Sequence, residues 1–597
     1  MISLYDYFII GFYLLFMLAI GVVFRRMSKN TSDYFRAGGA MPWWITGAST
    51  WIYSFSAWTF TGAAGKVYET GTLVLLVYYT SLLGLVVVFG YTCLKFRRMR
   101  VVTWVEAVRL RFGPMTEQFY TWCRLPLLLF FAGVGLNAIG VFMSSVFRVD
   151  MNTVLIIQGI VVTLVAFTGG AWAVLASDFV QAFLVMTITV CVAVLVLMRP
   201  DIGGLKGLIE KVPASHFHWT ELARPQIIAV WVLAQLWFKF SDANSMENSA
   251  MYLMTRSDRD ARRMVLIPIF GTLIGPLIWF IPSLAATILH PNLATEFPNL
   301  KQAHEAAFVS VAMDVMPQGL LGLLLSAMFG ATLTQADAGL NKGVGVFVRS
   351  FYKPMIRPAA SEKQLLKVGK ICTLVFGLII LICALLVNAF RTLGLFDLVN
   401  QLAANLLIPL ALPLVLGMFF LRTPSWSAWS TAVVAGLSSL ILGRVIEPAF
   451  FQRIMGWTTP LSKSEATDLL LGATAFGTTG VGVVWFFFTS RFYSSSSPEH
   501  RARVEEFAQR LRTPVDDHVG AGVQTSLYRL LGGLCLIYGA FMLLLTLIPN
   551  GAIGRGCFVF CGGTVFVVGA TLYRRSKRIE RSGDSLTAPA AISPVTR

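Results

Sequence analysis

An all-α polytopic membrane fold of about fifteen transmembrane helices is predicted by three observations. Apolar stretches of roughly 20 residues recur from Tyr7 to Tyr573; of the 597 residues, 56% are hydrophobic and only 13% are charged; and the mean hydropathy is +0.70. A single soluble core does not accommodate that composition, whereas repeated runs long enough to cross a hydrocarbon layer of roughly 30 Å do.

Taken in order, the candidate spans are about 6–24, 43–64, 71–94, 124–147, 153–170, 173–198, 225–250, 264–289, 309–348, 367–390, 399–421, 425–446, 467–490, 527–548 and 555–573. The first follows Met1 to Asp6 without a basic leader or a small-residue cleavage pattern, so it is expected to be a retained helix and not a secretory signal. Starting outside, it delivers Arg25, Arg26 and Lys29 to the cytoplasm. The third span delivers Lys95, Arg97, Arg98 and Arg100 to the same side, the seventh Arg256, Arg259, Arg262 and Arg263, and the ninth Arg349, Lys353, Arg357, Lys363 and Lys367. The segment 491–526 and Arg574, Arg575, Lys577 and Arg578 also fall there, so the distribution of Lys and Arg predicts an outside N-terminus and a cytoplasmic C-terminus.

The net charge of +18 is therefore topological, and nucleic-acid binding is not expected. Eight cysteines, mostly within apolar stretches and none in a CxxC pair, indicate neither a disulfide framework nor a zinc site. The largest pieces between spans are 95–123, 199–224, 290–306 and 491–526, and the Ser-, Pro- and Ala-rich stretch beyond Glu580 is expected to be disordered.

Charges inside this apolar frame carry the functional signal. Asp178, Lys239, Asp242, Glu247, Asp337 and Lys342 lie within candidate spans, and an ionisable group there is tolerated chiefly where it faces a bundle interior or a water-filled path. The segment from Pro42 through Thr46-Gly-Ala-Ser-Thr50 to Ser54-Phe-Ser-Ala-Trp-Thr-Phe-Thr-Gly62 is too rich in hydroxyls and small residues for a lipid-facing span. It reads as a discontinuous helix whose freed amides and carbonyls need polar partners, with a plain helix–helix seam as the alternative. The run Trp237-Phe-Lys-Phe-Ser-Asp-Ala-Asn-Ser-Met-Glu-Asn-Ser249 places polar side chains on several faces, which points to a second interruption or to a cytoplasmic helix end near Glu247.

Together, Thr31-Ser-Asp-Tyr-Phe-Arg-Ala-Gly-Gly-Ala-Met-Pro-Trp-Trp44, Ser54 to Ala57 with Gly62, Glu106 with Arg111-Phe-Gly113, Gly169-Gly-Ala-Trp through Asp178 to Gln181, Ser257 with Asp260-Ala-Arg-Arg263, and Gly319 through Tyr352 resemble the sodium:solute symporter family. The resemblance covers roughly residues 1–450. It implies a core of two five-helix repeats of inverted topology, placed at about 43–421, with a solute near the membrane midplane beside interrupted helices. The implied organisation is an extra N-terminal helix and entrance at 1–42, a first repeat at 43–198, a second at 199–421 with its preceding loop, additional C-terminal helices and a cytoplasmic loop at 422–580, and a tail at 581–597.

The resemblance also carries a cation site joining the first core helix to the eighth, matched here by Ile52, Phe55, Ala331, Thr334 and Gln335. Gln335 departs from the family's hydroxyl pattern, although its amide oxygen remains an acceptor. Asp178 matches a family aspartate that supports a cation site in some members. Asp337 stands about 3–4.5 Å along the helix from Gln335 and Thr334; it forms with them either a cation or proton network or a buried ion-pair network that fixes helices together. Trp58 and Thr59 are expected in the solute wall, with Lys239, Asp242 and Ser245 from the sixth core helix, Lys239 either binding a carboxylate or snorkelling to the interface. The Asn-Gln and Gln-Arg pairs of the sugar-binding branch are replaced by Ser245-Met246 and Ala250-Met251, which weighs against a sugar.

The expected function is sodium-coupled symport of a small polar organic solute by alternating access in the cell membrane, with Na+ as coupling ion, lipid as surroundings and no obligate protein partner. Proton-coupled or uncoupled transport is the alternative within the class. A transporter-like sensor without flux is the alternative outside it, and no kinase or regulatory domain among these residues speaks for that reading. A nucleotide-driven pump is not expected, because the Gly-Gly pairs lack a following Lys-Ser or Lys-Thr.

Overall fold

The computed structural model describes residues 2–24, 31–53, 56–168, 171–515 and 521–581, and at Thr334, Gln335 and Asp337 it describes the backbone and not the side chains. Phe55 and the expected tail beyond Arg581 lie outside the described residues. The architecture is all-α. Its principal helices are α1 (Leu4–Phe24), α2 (Trp43–Tyr53), α3 (Leu75–Val87), α4 (Pro114–Phe147), α5 (Met151–Thr168), α6 (Ala171–Leu197), α7 (Pro225–Asn244), α8 (Leu266–Trp279), α9 (Leu320–Val346), α10 (Glu362–Phe390), α11 (Ile408–Phe419), α12 (Ser427–Val445), α13 (Lys463–Ser490), α14 (Pro498–Arg512), α15 (Ala521–Leu544) and α16 (Ala552–Arg581).

Among the described residues, eleven helical stretches are long and apolar enough to cross a membrane. The other predicted spans fall on α2, α5, α7 and α9, which are shorter or more polar. Of these, α2 and α9 tolerate polarity because most of their described side chains are buried against neighbouring helices, away from lipid.

Two predicted spans are divided. The expected helix 309–348 splits into Ala307–Val315 and α9, because Met316 before Pro317 is extended (φ −83°, ψ 124°) and Gly319 sits at φ 83°, a left-handed conformation that favours glycine. The expected helix 264–289 splits at Phe280, with Pro282 in the first turn of the continuation Ile281–Leu289. Gly71 ends the segment Ala64–Thr70 at φ 65°, and a Cβ there would lie 2.3 Å from the His216 carbonyl oxygen, so the tight reversal into α3 requires glycine.

The centre is formed by α2, α6 and α9, with α4, α5 and α10 packed on one side; α3, α7 and α13 form a second group, joined to α2 through α8. Polar clasps fix the first helix to this centre. Asp6 of α1 accepts from the Gly322 amide of α9 at 2.6 Å, and Tyr13 accepts from Gln181 of α6 at 3.0 Å. At the other end of the chain α15 and α16 form a closely packed hairpin, and α16 lies against α6.

A central cavity between two interrupted helices

The first interruption lies within the hydroxyl-rich segment: α2 ends at Tyr53, Ser56 is not helical and helix resumes at Ala57, with Ser54 and Phe55 outside the described residues. Breaking a helix frees backbone amides that must be partnered in a dry interior. The Ala57 amide donates to Thr332 Oγ1 of α9 at 3.1 Å, and the Trp58 amide donates to Ser56 Oγ at 3.3 Å. Ser56 thus caps the second half of the helix, and Thr332 ties the break to α9. A π-helical turn, Thr59–Ala63, follows at once.

The second interruption follows α7. Ser245 is extended (φ −76°, ψ 151°), and a 3-10 turn, Met246–Ser249, connects it to the short helix Ala250–Leu253. Asn244, fully buried at the break, accepts from Thr92 Oγ1 at 2.8 Å and donates to the Phe240 carbonyl at 3.0 Å.

Between these interruptions lies a cavity of about 350 Å³. Its charged lining is Arg124, Lys239, Asp242, Glu247 and Lys342, three basic and two acidic groups, and its aromatic lining includes Tyr53, Trp58, Tyr78 and Trp279. Arg124 of α4 forms an ion pair with Glu247. The Lys342 ammonium of α9 stands 4.1 Å from the Tyr53 ring centroid and has no carboxylate within ion-pair distance among the described residues. Asp242 is reached by solvent although it lies deep in the bundle, as a side chain on a water-filled path would be.

One side of the cavity is covered. Trp58 stacks on Phe396 at 5.7 Å and donates its indole N–H to the Leu395 carbonyl at 3.3 Å. The helix that carries these partners, Leu395–Leu402, is held from behind by Glu305, which accepts from the Leu395 amide at 2.6 Å and from Arg391 at 2.8 and 3.0 Å. Lys66, about two turns beyond Trp58, pairs with Asp397 and Glu69 at 3.4 Å each.

The sequence-predicted residues distribute as follows. Trp58, Lys239 and Asp242 line the cavity. Ser245 lines a small adjoining recess with Arg124, Asp242 and Glu247. Thr59 does not line the cavity; it is fully buried behind the cavity wall, beside Tyr78. Ile52 and Ala331 are fully buried, and the Ala57–Thr332 bond brings their two segments together.

Asp178, also fully buried, accepts a hydrogen bond from Ser49 of α2, which lies one turn from Ile52 on the same face. Lys342 reaches the cavity directly. Phe55 and the side chains of Thr334, Gln335 and Asp337 lie outside the described residues.

Sequence reasoning missed Arg124, although a single Arg ahead of Leu-Pro-Leu-Leu-Leu-Phe-Phe131 is itself an intramembrane-charge signal. Tyr53, Tyr78 and Trp279 had no such signal, since aromatic residues are common in any span.

A polytopic helical protein with two interrupted helices facing a charged internal cavity has the construction of a secondary transporter. Residues 34–435 match the model of the sodium:solute symporter family, and the chain belongs to that family. Its members are transporters and not enzymes, and the function is sodium-coupled secondary active transport of a small polar solute.

The chain is 24% identical over 452 residues to the sodium/sialic acid symporter NanT of Aliivibrio fischeri, covering 72% of this chain and 85% of that one. It is 25% identical over 491 residues to the sodium/myo-inositol cotransporter 2 of Oryctolagus cuniculus, covering 75% and 71%. The fold is similar to that of a Na+-coupled sialic acid symporter solved in a substrate-bound outward-open state, with a TM-score of 0.64, 18% identity, and coverage of 81% of this chain and 98% of that one. A nucleobase-cation-symport-1 family transporter is also similar, with a TM-score of 0.50, 13% identity, and coverage of 79% and 98%.

Proposed function

We propose that the solute is a small carboxylate-bearing molecule and that the Lys342 ammonium receives its carboxylate. The observation that carries this reading is the cavity's charge: three basic groups face two acidic ones, and Lys342 stands over the Tyr53 ring with no carboxylate within ion-pair distance among the described residues. A half-buried cation in that position gains a charge-assisted hydrogen bond when an anion arrives. Asp242 and Glu247 offer acceptors to hydroxyl or ammonium groups at the other end of the solute. The volume suits a small solute and no more. One relative is named for sialic acid and another for myo-inositol, and the basic excess favours the acid.

The coupling ion occupies the seam between the first broken helix and α9, with Ile52, Phe55, Ala331, Thr334 and Gln335 as its proposed ligands and Asp178 supporting it through Ser49. Asp337 supplies charge near that seam. Support comes from the tie between the first break and α9. The two breaks fall in corresponding places of two repeats, 43–198 and 199–421, within an arrangement of about fifteen membrane helices. The extra helix at 1–42 precedes them and the additional helices at 422–580 follow. The N-terminus lies outside and the C-terminus in the cytoplasm, because the basic loops gather at one end. Release to the cytoplasm then proceeds while Trp58 and the Leu395–Leu402 helix keep the outer side shut.

A thermal-shift panel of small carboxylates, amino acids and neutral polyols, each with sodium and with an inert cation, tests the solute class. A carboxylate that raises the melting temperature in sodium alone is the expected result. A shift confined to neutral polyols would overturn the carboxylate assignment.

A further inference from the structure

A second cavity, of about 530 Å³, opens at the end of the molecule where the basic loops gather. Five cations line it, Arg100, Arg109, Arg349, Lys353 and Arg510, against one carboxylate, Glu106. It shares no lining residue with the central cavity, and three separate pieces of chain build it: the helix Trp104–Phe112, the exit of α9, and the end of α14.

Its backbone is unusual on two sides. Arg100 holds φ 54°, a left-handed conformation uncommon outside glycine, and Lys353 sits in a ten-residue π-helical run, Phe347–Ile356, that contains Pro354. Conformations of this kind persist where the surroundings over-determine them, and they concentrate at functional positions.

The cations are unequally satisfied. Arg349 pairs with Glu106 at 2.8 Å, Arg510 with Glu506 at 2.6 Å, and Arg100 donates to the Thr513 and Pro514 carbonyls at 3.3 and 2.8 Å. Arg109 reaches Glu117 only at 3.9 Å, and Lys353 has no ion-pair partner among the described residues. Two under-compensated cations thus share one recess with three more guanidinium groups, whose planar forks match phosphate oxygens.

Beside the recess the chain turns apolar side chains outward. Met355 and Ile356 are 64% and 56% exposed, and Trp122, 47% exposed, meets Phe351 edge-on at 4.7 Å. Exposed Trp, Met and Ile next to Lys and Arg are the arrangement expected at a membrane–water interface.

We propose that this recess binds the phosphate of an anionic phospholipid headgroup, with Arg109 and Lys353 as its principal contacts and the acyl chains lying along Trp122, Met355 and Ile356. Because Arg510 belongs to α14, an occupied site also fastens that helix to the core.

The full-length protein in nanodiscs of phosphatidylcholine with phosphatidylglycerol, followed by native mass spectrometry of the lipids it retains, tests the assignment. Wild type should retain phosphatidylglycerol in preference to phosphatidylcholine, and Arg109→Gln with Lys353→Gln should reduce that preference by about fivefold per removed charge. Equal retention of the two lipids by wild type, or a preference unchanged in the double variant, would overturn the proposal. If the double variant does not fold, Arg109→Gln alone keeps the comparison, since that side chain is 54% exposed. Inorganic pyrophosphate added to phosphatidylcholine nanodiscs forms the second arm. Residue-dependent stabilisation by pyrophosphate without any lipid preference would reject the lipid and leave a soluble phosphate as the occupant.

Discussion

Lys342 and Thr334 separate the two ligands of the proposed cycle. Replacing Lys342 with Met keeps a long unbranched side chain and removes the charge, so solute affinity should fall by about tenfold or more. Sodium affinity without solute should change much less, and isothermal titration with each ligand alone measures the difference. Thr334→Ala removes one proposed cation ligand and puts a good helix former in its place. Sodium dependence of uptake should then weaken while expression holds, and an unchanged sodium dependence would move the ion toward Asp178. Gln335→Ser should strengthen sodium coupling if the long amide merely loosens the cage; loss of transport in a folded protein would give Gln335 a role of its own. Lys239 and Asp242 could be read from sequence because a charge in an apolar run is conspicuous. Ser56 and Thr332 could not, since one hydroxyl among many becomes a cap only when a particular amide is freed beside it.

Two elements owe their position to buried polar groups that periodicity does not reveal. Glu305 and Arg391 are 0% and 3% exposed, and Glu305 also holds the Leu395 amide. Glu305→Ala would leave a buried guanidinium and an amide without partners, which should lower stability by about 3–5 kcal/mol and loosen the cover over the cavity. A melting curve together with cysteine accessibility at position 396 would register both effects, and an unchanged melting temperature would count against the clasp.

The second element is α14. His500 donates from Nε2 to the Thr423 carbonyl at 3.0 Å, leaving Nδ1 buried without a partner among the described residues. Burial, with Arg111 and Arg503 nearby, pulls the imidazole below its ordinary value of 6.5, the Thr423 bond acting in the opposite sense. The unfolded chain therefore binds the proton more readily. Docking of α14 is strongest above about pH 6.5 and weakens as the pH falls below it. Melting curves from pH 8 to pH 5 should show this slope, and His500→Gln should flatten it. From sequence the helical segments were legible through their apolar length, whereas the divisions at Phe280 and Met316 were not, because a proline inside an apolar run marks either a kink or a new helix and only the neighbouring packing decides.

For the whole molecule, fold class and family were open to reading because apolar length, the side on which Lys and Arg gather and a series of ordered motifs agree. The cavity was half legible: its charges stood out, but the meeting of α3, α4, α7 and α9 around them follows from long-range packing that no local pattern encodes. What the molecule does depends on linkage between the two ligands. If sodium and solute occupy sites coupled through the first broken helix, each must tighten the other by the same factor. The most direct measurement is solute binding to the purified full-length protein, titrated with and without sodium, and sodium binding titrated with and without solute. Equal factors, both reduced in Thr334→Ala, are the predicted result. Solute affinity that stays the same when an inert cation replaces sodium would contradict it.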